Sequence, residues 1–398
     1  MGDSTIQIKI DKKLEHLGEE EIATLINRYY SNEKAKNLVE EYKIEINPSK
    51  LYTLFPPIIY EDKLCTYCGK PMLIKRPSKS SCGYGRNNAY CINCGHEDSH
   101  FCNCSYCREK IKLEEIKLEE EQKKIVQDKR NLINDTYDLN KYKPVRIEDL
   151  GFREKVFLGA LLRTALTEDM KIIKPLEVAE RKLAPTLNYT KEILITLLSK
   201  NVIVVSPDSK IEAFVDSSGE KEFPQTYYIN EVIYILNIEI KEDYEEEIAT
   251  LINPKEMNEE SKSEALEIWK EIALEECLEY LNYQMDKVKF DFNPGEKTIA
   301  VFKDLLEHFS VAQIYGIIYR CIANSTKYYQ ETNIGRKQAA NSVVGACQRY
   351  GERALVEKWD LIKYHRAYDI PQSMIGEFFL NRVTRIGDLG FEMSPIIL

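Results

Sequence analysis

Cys65-Thr66-Tyr67-Cys68-Gly69 and Cys91-Ile92-Asn93-Cys94-Gly95 are two Cys-x-x-Cys-Gly turns with 22 residues between Cys68 and Cys91, and the rest of the chain is best read outward from them. A Cys-x-x-Cys turn presents two thiolates to one ion, and the glycine that follows is the residue such turns favour. Cys65, Cys68, Cys91 and Cys94 are therefore expected to form one four-thiolate metal site. Eight of the eleven cysteines fall in the 43 residues from Cys65 to Cys107, among Gly, Ser and Asn and few aliphatic residues. A segment without an oily core needs another source of stability, and metal coordination supplies it.

The remaining members of that cluster, Cys82, Cys102, Cys104 and Cys107, are enough for a second site, with His96 and His100 as substitutes. An interleaved pairing would use the same eight cysteines differently, and spacing does not choose between the two. Four soft donors suit zinc, so one or two zinc ions are the expected cofactor. The two knuckles resemble a zinc ribbon over about a tenth of the chain, and that resemblance implies a structural metal, not an activity. His96-Glu97-Asp98-Ser99-His100 also matches the H-E-x-x-H pattern of zinc peptidases. That chemistry needs both histidines on one long helix, whereas cysteine coordination on either side should bend this segment. The match is taken as accidental.

The cysteines read as ligands because the chain looks cytoplasmic. No window approaches eighteen apolar residues, and Met1 to Lys13 alternates polar and apolar residues instead of forming a basic-then-apolar leader. A reducing compartment disfavours disulfides. A net charge of −10 seems to exclude a nucleic-acid partner, but 241–279 alone carries fourteen acidic residues against four lysines. The remainder is close to neutral, and the acidic stretch is itself a candidate dock for a basic protein partner.

A multi-domain, mainly α architecture follows, with a Cys-rich zinc module and a small α+β domain. Residues 1–60 read as short helices, with Ile22, Leu25, Ile26 and Tyr29 at helical spacing, compatible with a helix-turn-helix or a ligand-free bundle. The zinc module spans 61–107. A charged spacer helix covers 108–140, with Ile111, Leu118, Ile125 and Leu132 spaced by seven but Glu114, Glu121 and Asp128 at the companion positions, too narrow a seam for a coiled coil. In 141–240, helices are expected at 152–167, 175–183 and 190–199. A hairpin of 202–205 with 211–215 and a strand at 227–238 should follow. That order resembles a winged helix. An acidic linker at 241–262 leads to a helical C-terminal domain, 263–398, in which Ser310 can cap a long helix. The string Glu-Glu-Glu-Ile-Ala-Thr-Leu-Ile-Asn occurs at both 19–27 and 245–253, and reads as a shared helix fragment.

No phosphate-binding loop, nucleophile elbow or dinucleotide fingerprint is present. Cys277, Cys321 and Cys347 lie on apolar helical patterns and read as core, and His308 and His365 are isolated. The segment 310–385 holds eleven Lys or Arg against six Asp or Glu, interleaved with aromatics. Arg320, Lys327, Arg336, Lys337, Arg349, Arg353, Lys363 and Arg366 are the candidate nucleic-acid contacts. The expectation is a non-enzymatic, zinc-stabilised DNA-binding protein, regulatory or accessory to mobile DNA or phage defence, with no membrane partner. A protein-interaction scaffold is the alternative, and an enzyme with an unfamiliar helical active site the third.

Overall fold

The computed structural model describes residues 9–80, 88–218, 221–239, 241, 243–254, 259–332 and 334–396, and it divides into two compact units, Met1–Val126 and Gln127–Leu398.

The first unit opens with α1 (Glu19–Tyr30) and α2 (Ala35–Glu41), which bury Leu25, Tyr29 and Leu38 with Leu51 and Phe55. Three glutamates occupy the first turn of α1, where the helix dipole favours negative charge. Arg28 near its end forks onto Glu33 and Glu41, each at 2.7 Å. The third helical segment of the expected helix-turn-helix is instead a 3₁₀ helix, Pro48–Leu54, started by an Asn47 side-chain cap on Ser49 N–H. A hairpin of β1 (Ile58–Leu64) and β2 (Pro71–Ile74) leads into the cysteine turns, whose small core is separate from that of the helices. The expected spacer is helical: α3 runs Ser105–Thr136, its residues 108–128 are all exposed, and the boundary between the units falls inside it.

The core of the second unit begins where α3 buries Ile133, and Tyr137 continues it. It holds α4 (Phe152–Ala165), β3 (Ile172–Ile173), α5 (Leu187–Ser199), β4 (Ile203–Val205), a small hairpin of β5 (Ser217–Ser218) and β6 (Lys221–Glu222), and β7 (Tyr234–Leu236). Two expectations fail here. Pro175 to Leu183 forms only a 3₁₀ turn at Leu176–Val178; Glu177 N–H donates to Asn230 O, and the carbonyls of Lys182 and Leu183 accept from Met374 and Ile375 N–H, so this segment bonds to distant parts of the chain and not along a helix of its own. And β4 does not pair with 211–215, which makes a 3₁₀ turn at Ile211–Ala213. It pairs with β7, so that an antiparallel sheet of order β3-β7-β4 forms. Ser209 Oγ, accepting from Ile233 N–H at 2.9 Å, ties the intervening loop to the strand that β4 meets.

The acidic stretch 241–262 is not a linker. It contains α6 (Tyr244–Ile252), which buries Tyr244, Ile248 and Leu251. A β-carbon on Gly159 of α4 would lie 2.6 Å from the Leu251 carbonyl, so the absent side chain is what lets α6 settle against α4. Part of the acidic charge of 241–279 is answered from outside that stretch: Glu264 and Glu271 by Arg153, Glu276 by Arg366 and Glu279 by Lys182. The dock expected for a basic partner is to that extent already neutralised.

Helices α7 (Lys262–Lys287), α8 (Glu296–Leu306), α9 (Val311–Glu331) and α10 (Arg336–Val356) complete the unit with α11 (Met374–Phe378) and α12 (Leu389–Glu392). Ser310 caps α9 as expected, its Oγ accepting from Gln313 N–H at 3.2 Å. Cys277, Cys321 and Cys347 are buried, also as expected. One continuous core runs from Ile133 to Phe391, so 141–240 and 263–398 are not separate bodies. Among the described residues no helix is long and apolar enough to cross a membrane.

Candidate metal centre and basic surface

Each knuckle closes in the same way. Gly69 N–H donates to Cys65 O and Gly95 N–H to Cys91 O, both at 2.9 Å, and Gly69 (φ +67°) and Gly95 (φ +70°) sit in the left-handed region where a side chain would be strained. The result is the expected quartet: Cys65 and Cys94 sulfurs lie 3.5 Å apart, Cys68 and Cys91 sulfurs 3.3 Å, and all four within 4.8 Å of one another. These separations exceed a disulfide and approach the roughly 3.8 Å expected between thiolates sharing one tetrahedral ion. Alone, the thiols resist common ionisation: the Lys70 N–H brings Cys68 down to about 6, whereas burial pushes Cys94 up to about 12. A cation at the centre is what would let all four ionise together.

The second quartet is His96, Cys102, Cys104 and Cys107, whose donor atoms also lie within 4.8 Å of one another. His96 Nδ1 stands 3.4, 3.8 and 3.3 Å from the sulfurs of Cys102, Cys104 and Cys107. His96 completes this set among the described residues; Cys82, which spacing assigned to it, lies outside them. His100, the other substitute, is not in the set. Burial opposes ionisation of Cys102, but N–H donors from Glu97 and Cys104 outweigh it and bring that thiol down to about 6. Residues 96–100 are not helical, so the H-E-x-x-H match does not place its histidines on one helix face.

Sequence spacing gave no sign of Tyr67. It sits inside the first knuckle yet stacks on Tyr106 (centroids 5.1 Å apart, 12° between planes) and meets His96 edge-on at 4.8 Å. Its hydroxyl reaches Cys107 Sγ at 3.5 Å, and that hydrogen bond, more than burial, pushes its own ionisation up to about 12.

Helices α9 and α10 run antiparallel, as the contacts Arg320 to Tyr350, Ser325 to Ser342 and Arg336 over Tyr329 require. The eight candidate cations separate into two sets. Lys327 pairs with Glu331, Arg353 with Glu357, Lys363 with Glu392, and Arg366 with the buried Glu276. Arg320, Arg336, Lys337 and Arg349 are exposed and have no carboxylate partner among the described residues. Tyr319 and Tyr328 stand half-exposed on α9.

No family model, curated protein or solved structure matches this chain.

Proposed function

We propose that this chain is a DNA-binding protein whose first unit is folded around two structural zinc ions and whose contact surface is the α9–α10 pair. The zinc assignment rests on the donors: four thiolates in one set and three thiolates with one imidazole in the other, both full tetrahedral complements of the kind found in structural sites. A complete set leaves no coordination position for substrate. Zinc therefore serves folding here, in a module whose own core consists of little beyond Met72 and Ala89 with the cysteines.

One observation carries the DNA reading: Arg320, Arg336, Lys337 and Arg349 keep their charge unspent beside exposed tyrosines, although this chain pairs most of its partly buried cations. Phosphate contact by such groups releases counterions, so affinity falls steeply with salt. The order α4, β3, α5, β4, β7 with strand order β3-β7-β4 also supports a winged-helix-like character for 141–240. Titration of the full chain with labelled duplex and single-stranded DNA at several salt concentrations tests the proposal. Lys337→Gln and Arg349→Gln should each weaken binding and flatten the salt slope by about one unit. Failure of both DNA forms to bind at low salt would end it.

A protein-contact role is favoured by a different observation. Phe101 is 91% exposed and Ile92 56% exposed on the metal module, which places apolar groups in water where a partner would cover them. Binding of neither DNA form, with zinc bound and the fold intact, would move the function to that surface.

A further inference from the structure

At one end of the α9–α10 pair the extended segment 357–373 crosses α9. Tyr364 N–H donates to Ala312 O at 2.9 Å, and the crossing is close because residue 316 is glycine: a β-carbon there would come within 3.2 Å of the Ile362 carbonyl and of the Tyr364 ring. Beneath this segment lies a cavity of about 260 Å³ walled by Gln313, Arg320, Tyr350, Trp359, Asp360 and Tyr364. It is at the small end of ligand sites, with room for one ring system.

We infer that this cavity takes a single unstacked guanine base from a DNA strand lying on α9 and α10. The inference rests on the DNA-binding proposal and names the form of DNA it requires. The walls supply stacking: Tyr350 and Trp359 meet at 5.3 Å and 65°, presenting ring surfaces of the kind on which extruded bases stack. A cationic ligand is disfavoured, because Arg320 already faces the Tyr350 ring at 5.7 Å and Arg353 the Trp359 ring at 5.3 Å. Inorganic phosphate alone would use the guanidinium and leave the aromatic walls without a role.

The polar groups select the base. Asp360 is a carboxylate with no cationic partner among the described residues, and among the bases guanine offers adjacent N1–H and N2–H donors to such an acceptor. Gln313 accepts from Ser310 N–H through Oε1 at 3.0 Å, leaving its amide N–H groups to donate, and among the described residues Arg320 donates to Tyr350 Oη alone, at 3.1 Å. Both match the O6 and N7 acceptors of guanine, the pair that arginine most often reads.

The test uses the zinc-loaded full chain and its own fluorescence. Trp269 is buried with its indole N–H on Gly390 O, so quenching by an added ligand reports Trp359. The probes are a thymidine oligomer of about eight nucleotides, the same oligomer with one central dG, a duplex of matching length, guanosine monophosphate and inorganic phosphate. The dG oligomer should quench Trp359 and bind roughly tenfold tighter than the thymidine oligomer, with weaker quenching by the mononucleotide and none by phosphate. Asp360→Asn, at an exposed position, should bring the dG-to-dT affinity ratio near one, and Trp359→Phe should abolish the signal. DNA binding without quenching, or with equal affinity for the two oligomers, overturns the guanine pocket while leaving DNA binding in place. Quenching by the mononucleotide with no binding of any oligomer overturns the strand as its source. Absence of all binding overturns both proposals together.

Discussion

The hydroxyl of Tyr67, from the knuckle that supplies Cys65 and Cys68, lies 3.5 Å from the sulfur of Cys107 in the other quartet. One side chain therefore couples the two metal sites, and it sits where second-sphere donors hold a thiolate in orientation and temper its charge. Such partners typically contribute 10–100-fold in metal affinity. Tyr67→Phe keeps the stack on Tyr106 and deletes only the donor, so it should weaken zinc at the His96 site by about that factor and leave the four-cysteine site nearly unchanged. Competition against a chromogenic chelator resolves two classes of zinc. Equal release rates from wild type and variant would mean the hydroxyl has no hold on Cys107.

The composition of the second quartet makes a sharper prediction. His96 Nδ1 lies within 3.8 Å of all three sulfurs, so His96→Ala should reduce bound zinc from two ions to one, as should Cys102→Ser. Cys82→Ser should retain both. Zinc counted on purified variants decides this, and loss of an ion in the Cys82 variant would restore the all-cysteine set that spacing suggested.

The knuckles were legible because their ligands are local in sequence: two residues lie between the cysteines of each turn, and each turn is closed by a glycine. His96 was legible only as one of two substitutes, since its approach to Cys102, Cys104 and Cys107 depends on a bend that spacing does not encode. Helical periodicity correctly placed α1, and the repeated nonapeptide adopts a helix in both copies, burying Ile22 and Leu25 in one and Ile248 and Leu251 in the other. The same repeat exposes the error at 241–262. Charge density suggested a linker, yet three apolar residues at helical spacing and the space left by Gly159 outweighed it. Strand partners misled for a related reason. A short turn between 205 and 211 favours a local hairpin, but Ser209 commits its hydroxyl to Ile233 and brings β7 to the edge of β4.

Arg366 was a candidate DNA contact from its setting among basic and aromatic residues, and the fold gives it another task. Its guanidinium bonds Glu276 at 2.6 Å, and that glutamate is only 3% exposed. Removing one member of a buried pair leaves the other charged and uncompensated, at a cost of about 3–5 kcal/mol. Arg366→Ala should therefore lower the unfolding free energy of the second unit, read from urea titration, by an amount toward the low end of that range, because Arg366 is itself partly solvated. Glu276→Gln should do less, since the amide oxygen can still accept. Unchanged stability with reduced DNA affinity would return Arg366 to the contact surface.

Glu275 lies on α7 in a cleft that Glu192 and Glu271 also line. Burial raises its ionisation above the ordinary carboxylate range; Thr186 Oγ1 opposes this by donating to it, while the charges of Glu192 and Glu271 add to the rise. Glu192 is raised as well, again first by burial. Because the folded value exceeds the unfolded one, the folded state binds the extra proton between them, and stability falls as pH climbs through that interval. The penalty is present above the unfolded carboxylate value and grows until the pH passes the folded one, whereas below about 4 both states are protonated and it vanishes. Glu275→Gln keeps an acceptor for Thr186 and removes the charge. It should therefore raise the melting temperature at pH 7, with the advantage shrinking as the pH is lowered toward the unfolded carboxylate value. An advantage that is constant across that range, or a loss of stability at pH 7, would mean that the carboxylate is held by a cation and is not penalised by its burial.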